Sequence, residues 1–289
     1  MYTYTLKHLP KNTIEILVKT PWDDLKGEYA KSFEALRKEL STEGFRKGKV
    51  PTNIAESKIP KSDIYDHALR SYIPKAYGEI LKKEDVRPIV APKIELVTAK
   101  ENEDWEIKIS TATTPDVKLG KYKEKIKDAK ATAKKDTIWV PGKSKEPTPE
   151  EKEKQTRAEF QAALTALLAE AKVEISDLLI EDELQGRLSR LVDDVQRVGL
   201  TMEAYFKSKN LTKEDVTAQL KKEIEETYKT EFILQQIADE EHIQVEQEEI
   251  TKVLEGIKDE KEKKTAQENM YYYASLMRKQ KVLDFINSL

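Results

Sequence analysis

Strand-like alternation of apolar and polar residues is confined to the first 118 residues of this 289-residue chain, and from residue 149 onward the readable period is helical. Alternation calls for a sheet with one covered face, whereas a 3.6-residue period calls for helical partners. The chain therefore reads as an α+β domain over residues 1–118, an intervening segment over 119–148, and an extended all-helical domain with arms over 149–289.

In the first part, Thr13–Val18 alternates cleanly, preceded by a strand over Thr3–Lys7. Ile94–Val97 and Trp105–Thr111 read as strands around the polar turn Lys100–Asp104. Trp105, Ile107 and Ile109 share one face, while Glu106, Lys108 and Ser110 share the other. Pro21 opens a helix whose first turn carries Asp23 and Asp24, where carboxylates suit the helix dipole. Leu25, Tyr29, Phe33, Leu36 and Leu40 form its apolar face, and Gly44 stops it. A second helical stretch, interrupted at Pro60, carries Ile64, Ala68, Tyr72, Ala76 and Ile80, and Pro74 within it predicts a kink.

Between Lys118 and Lys145 ten Lys face only Glu124, Asp128 and Asp136, a net +7, and apolar residues are sparse. Pro141-Gly142 and Pro147 punctuate the end. The composition predicts an extended linker, either a solvated charge run or an accessory contact to RNA phosphates. Helical signals then dominate. Thr148-Pro149-Glu150-Glu151 is a capping box with Pro at the first helical position. One helix carries Phe160, Leu164 and Leu167, and a second runs from Leu184 to Val198 and ends at Gly199. A short one covers Thr201–Ser208, and a long one follows the cap Thr212–Asp215 through Ile237. Two more carry Ile250, Val253, Leu254 and Ile257, then Met270, Tyr273, Met277, Leu283 and Ile286.

Composition removes several chemistries. With no Cys there are no disulfides, zinc ribbons, iron–sulfur clusters or thiol nucleophiles. His8, His67 and His242 are too scattered for a metal site, so no metal and no cofactor are expected. The adjacent carboxylates Glu181-Asp182-Glu183, Asp193-Asp194 and Glu240-Glu241 diverge by about 100° per residue on a helix and read as solvated faces. No nucleotide motif is present, so the sequence gives no sign of ATP hydrolysis. No leader-like apolar region opens the sequence and no window is apolar enough to span a bilayer. The expected compartment is the cytoplasm, with no membrane partner.

The most informative segment is Gly44-Phe45-Arg46-Lys47-Gly48-Lys49-Val50-Pro51. Two glycines free the backbone for a tight loop, three cations can meet phosphates or carboxylates, and one aromatic ring can enter an apolar pocket. It is not a phosphate-binding P-loop: three residues separate the glycines, and Val50 stands where that motif needs Ser or Thr after the lysine.

This loop, with the helix Trp22–Glu43 before it, resembles the signature of the trigger factor family of bacterial ribosome-associated chaperones. Val86–Glu95 is similar to the strand entry of that family's amino-terminal domain. Leu164–Leu254, including Gly199–Tyr205 and Glu240–Val245, is similar to its carboxy-terminal chaperone domain. The resemblance implies that Phe45, Arg46 and Lys47 dock on the large ribosomal subunit at the tunnel exit, against ribosomal protein and rRNA, with Lys49 beside them. Gly44, Gly48 and Pro51 would shape the loop. It further implies nascent or unfolded polypeptides as clients, and it allows a weak homodimer. Typical members carry an FKBP-like prolyl isomerase domain between these regions. A folded domain needs at least roughly 50 residues, more than the segment 119–148 offers, so an enzyme is not expected. Two alternatives stay open: a ribosome-independent holdase or assembly factor on the same scaffold, and a divergent prolyl isomerase.

Client holding has no point-like signature and requires dispersed exposed apolar side chains. Candidates are Met202, Tyr205 and Phe206 on the short helix and Met270, Tyr271, Tyr272, Tyr273 and Met277 on the last one. The competing reading makes them a core stripe. Three consecutive tyrosines span about 200° of a helix and cannot all face one small core.

Overall fold

A computed structural model describes residues 2–100, 102–135, 148–255 and 260–289. The chain divides into two units, Met1–Thr114 with Ser176–Asp182, and Pro115–Ile175 with Glu183–Leu289.

The first unit is an α+β layer structure. Strands β1 (Thr3–Leu9), β2 (Thr13–Thr20), β3 (Lys93–Thr98) and β4 (Trp105–Ala112) form an antiparallel sheet in the order β1-β2-β4-β3. Helices α1 (Trp22–Glu39), α2 (Thr52–Lys58) and α3 (Lys61–Lys83) complete it. Lys11 and Asn12 both take left-handed φ values, 59° and 53°, in the tight β1–β2 turn. Directly opposed residues lie on one face, so Ile16 opposite Ile109 and Val18 opposite Ile107 build the inner rows. Leu25 of α1 and Ala68, Leu69, Ile73, Tyr77 and Ile80 of α3 join that core. Trp105 is fully buried and its indole donates to the Lys100 carbonyl at 3.1 Å. The outer face is polar, with the cross-strand pairs Lys19–Glu106 and Lys108–Glu95.

β3 is different. Ile94 and Leu96 oppose Ile109 and Ile107 but are 44% and 37% exposed, because the helices cover the centre of the sheet and not this edge. A register shift between Leu96 and Thr98, with Lys93 and Glu95 along the strand, blunts the edge against further pairing. Helix α3 runs through Pro74 from Lys61 to Lys83, and Ile73, Ala76 and Tyr77 around it are buried.

The second unit holds α4 (Tyr122–Lys135), α5 (Pro149–Glu170), α7 (Met202–Lys209), α8 (Lys213–Glu240), α9 (Gln247–Glu255), α10 (Glu260–Glu268) and α11 (Met270–Ser288). Helix α6 (Asp177–Arg197) begins in the first unit. A two-residue ladder joins β5 (Val117–Lys118) to β6 (Lys172–Val173). Both capping boxes form: Thr148 with Glu151, and Thr212 with Asp215. Where two helices were expected after Glu241, three are found among the described residues, and Ile257 lies outside these.

The lysine-rich segment departs most from expectation. Residues 122–135 are helix, not extended linker, and residues 136–147 lie outside the described residues. Leu119, Tyr122 and Ile126 are buried in one core with Ala163 and Leu167 of α5, Ile233 and Ile237 of α8, and Val282 and Ile286 of α11. Several of the lysines are used internally. Lys130 is buried and donates to the carbonyls of Ile286 (2.9 Å) and Asn287 (2.7 Å), the last turn of α11, where a cation complements the helix dipole. Lys123 pairs with Glu241 at 2.6 Å and Lys134 with Glu159 at 3.6 Å. An accessory contact to RNA is thus not available to these three side chains without breaking internal bonds.

Candidate functional site: a clamped cationic loop and an apolar groove

The loop between α1 and α2 is two successive β-turns. Phe45 N donates to Thr42 O at 3.1 Å, and Lys49 N to Arg46 O at 2.9 Å. Each turn has glycine at its third position with positive φ, Gly44 at 83° and Gly48 at 77°, as a type II turn demands. The base is fixed. Val50 is fully buried with Ala55, Ile59 and Ile64, and Tyr29, Phe33, Leu36 and Leu40 of α1 pack on this small core. Arg37 donates to Val50 O at 3.2 Å while its other nitrogens hold Glu34, which ties the end of α1 to the end of the loop. Pro51 is the residue before α2 and starts it in extended conformation.

What the clamp presents is chemically simple. Phe45 is 38% exposed although aromatic, and Arg46, Lys47 and Lys49 are exposed. None of these three cations forms an ion pair among the described residues. Other cations of the chain are paired, Lys93 with Glu181, Arg187 with Glu183 and Arg197 with Asp194. Six of the seven loop residues singled out from sequence, Gly44 to Lys49, thus lie on one double turn, and Pro51 stands just beyond it at the start of α2. Sequence reasoning missed Arg37 and Val50, which carry the clamp. Arg37 looked like one more surface charge on α1, and Val50 like a loop residue.

The client candidates separate into groups. On α7, Met202, Tyr205 and Phe206 are all half-buried, with the Tyr205 and Phe206 rings edge to face at 6.0 Å. On α11, Tyr273 and Met277 pack against Ile250, Leu254 and Ala266. Met270, Tyr271 and Tyr272 remain exposed, Tyr271 at 90%. Tyr271 also stands at the lip of a groove of about 580 Å³ between α8 and α11, a feature no sequence pattern indicated. Its floor is apolar, with Leu234, Ala238, Val245 and Val282.

The described residues contain no cluster of three or more metal-ligating side chains and no helix long and apolar enough to cross a membrane. His67 bonds to Ser32 at 3.0 Å between α3 and α1, and His242 sits just past α8 with φ of 52°. Near it, burial first and then the bond its hydroxyl donates to Glu241 push the Tyr122 pKa well up. Lys123 and Tyr122 in turn hold the Glu241 carboxyl below the usual range.

Comparison with known proteins gives consistent results. The family model for bacterial trigger factor protein matches residues 2–138, and that for the trigger factor carboxy-terminal region matches residues 143–287, leaving only 139–142 between them. Trigger factors of Streptococcus uberis and Streptococcus mutans are each 34% identical, over 110 and 101 residues. Those stretches are 38% and 35% of this chain and 26% and 24% of the relatives. The chain thus spans about a quarter of the length of the curated relatives it matches. A solved structure from work on promiscuous substrate recognition in folding and assembly by the trigger factor chaperone superposes with a TM-score of 0.62. It covers 98% of this chain and 99% of that one at 15% identity, a likeness of fold.

Proposed function

The chain belongs to the bacterial trigger factor family, and from that premise we propose that it is a ribosome-docking, ATP-independent chaperone that shelters nascent or unfolded polypeptides in the cytoplasm. The observation that carries the reading is the loop. Phe45, Arg46, Lys47 and Lys49 are held out on a double turn whose base is clamped by Arg37 and Val50. A ring with adjacent unpaired cations suits a surface made of protein and phosphate, the chemistry of the large ribosomal subunit at its tunnel exit. Preorganisation keeps the ordering cost of docking low. Three cations give moderate, salt-sensitive affinity: log K falls with log salt by a slope of about 2 to 3 for three phosphate contacts. A factor that must leave as synthesis proceeds needs such an affinity.

The second half of the reading rests on the exposed Met270, Tyr271 and Tyr272 of α11 and the half-buried Met202, Tyr205 and Phe206 of α7, which can meet unfolded segments without sequence choice. Prolyl isomerase chemistry is not part of the proposal, because the two family regions adjoin in this chain.

The test is co-sedimentation with ribosomes at two salt concentrations. The triple variant Phe45→Ala/Arg46→Ala/Lys47→Ala is expected to stay in the supernatant while still folding. Pelleting equal to that of the unaltered chain would remove the docking role and leave a ribosome-independent holdase.

A further inference from the structure

Resting on the docking reading above, we propose that Lys38 is a fourth phosphate-binding cation of the ribosome-docking surface, supplied by helix α1 and not by the loop. Lys38 lies outside the loop motif, in the last turn of α1. Tertiary folding brings the two together. The second turn of the loop returns onto the end of α1, and the Lys38 carbonyl lies 3.3 Å from where a Cβ on Gly48 would stand. The backbone of Lys38 is therefore in contact with the residue between Lys47 and Lys49. A flexible four-carbon stem rooted there can carry its ammonium to the phosphates that Lys47 and Lys49 meet.

The pairing of charges along α1 singles out the same residue. Lys26 is held by Asp23 at 2.9 Å, Lys31 by Glu28 at 3.0 Å and Arg37 by Glu34 at 2.7 Å. Lys38 is exposed and forms no ion pair among the described residues. Of the cations on this helix, the unpaired one is thus the one against the loop. Its root is also fixed relative to the loop, because the neighbouring Arg37 donates to Val50 O at 3.2 Å. Lys38, Arg46, Lys47 and Lys49 therefore reach the partner as one preorganised set. Exposed Glu39 and Glu43 beside them keep the net charge of this end small, which holds the affinity in the reversible range. A compact ammonium needs no fixed approach angle, so it meets a single phosphate oxygen from the flank of the loop.

The experiment measures ribosome affinity of the full chain by co-sedimentation between about 50 and 200 mM salt. Lys38→Gln alters only an exposed side chain, so it folds. It is expected to lower the slope of log K against log salt by about 0.7–0.9, which at about 0.1 M salt is a loss of about five- to eightfold in affinity. Lys38→Arg keeps the charge and should keep both values. Lys31→Gln removes a cation from the same face of α1, two turns earlier and already engaged by Glu28, and should leave both unchanged. Phe45→Ala should weaken binding at constant slope, because a ring releases no counterions. An unchanged slope in Lys38→Gln overturns the assignment. With affinity also unchanged, Lys38 serves only the carbonyl end of α1; with affinity reduced, its partner is a protein carboxylate and not a phosphate. An equal fall in slope for Lys31→Gln overturns it too, since the effect would then be one of net charge. Failure of the unaltered chain to pellet is a separate result, and it removes the docking reading itself.

Discussion

Replacing Gly48 by alanine, with Gly44→Ala as its partner experiment, tests how the loop is built. Both glycines occupy left-handed φ, 77° and 83°, so both substitutions incur the conformational penalty of about 1–2 kcal/mol for an L-residue there. Alanine also restricts the unfolded chain, which returns about 0.4–1 kcal/mol. The net loss for Gly44→Ala is therefore about 1 kcal/mol, because a Cβ there meets nothing within 4 Å. At Gly48 a Cβ would stand 3.3 Å from Lys38 O. That oxygen is backbone in the last turn of α1, and α1 is tied to the loop through Arg37, so it cannot swing aside as a flexible side chain would. The contact adds about 1 kcal/mol, the lower end of the range for overpacking, and Gly48→Ala should lose about 2 kcal/mol.

Urea unfolding followed by tryptophan fluorescence reads the difference. A Trp139→Phe background leaves the signal to Trp22 and Trp105, both in the first unit. At a slope of about 2 kcal/mol per molar urea, the two midpoints should differ by about 0.5 M, with Gly48→Ala lower. Equal midpoints, or a larger loss at Gly44, would refute the claim that the loop is pressed against the end of α1. Both variants keep Phe45, Arg46 and Lys47, so ribosome pelleting of the pair separates the shape of the loop from its chemistry.

Two further outcomes concern the helical unit. Ile126→Ala removes a fully buried side chain shared by α4, α5, α8 and α11 and should cost about 2–5 kcal/mol in thermal or urea unfolding of that unit; a loss below about 0.5 kcal/mol would return α4 to the status of a linker. The Glu241 carboxyl is held below its ordinary value first by the Lys123 bond and then by Tyr122, so its contribution is present above about pH 4.5 and is lost as pH falls toward the depressed folded value. Glu241→Gln should flatten that acid limb of stability against pH, and an unchanged slope between pH 5 and pH 3 would show that the Lys123–Glu241–Tyr122 contact is not coupled to folding.

Local signals in the amino-acid order were sufficient wherever one residue type has one physical use. Alternation in Thr13–Val18 and Trp105–Thr111 placed the two central strands, because a one-residue slip would turn Ile16 and Ile107 to water. Thr148 with Glu151 and Thr212 with Asp215 marked helix starts, because unpaired amides at a helix end need such partners. Gly44 and Gly48 announced the loop, since few other residues tolerate its backbone.

Tertiary structure decided whatever depends on who the neighbour is. Leu119, Tyr122 and Ile126 have helical spacing in the sequence, but ten surrounding lysines hid it, and only the facing surfaces of α5, α8 and α11 make that stripe a core. Lys130 carries the same side chain as its solvated neighbours and differs only because the last carbonyls of α11 lie within 3 Å of it. Met277 and Tyr271 looked equivalent on one helix, yet one packs against α9 and the other stands open at a groove made jointly with α8. Burial and pairing are properties of two surfaces brought together, and a sequence read one segment at a time contains only one of them.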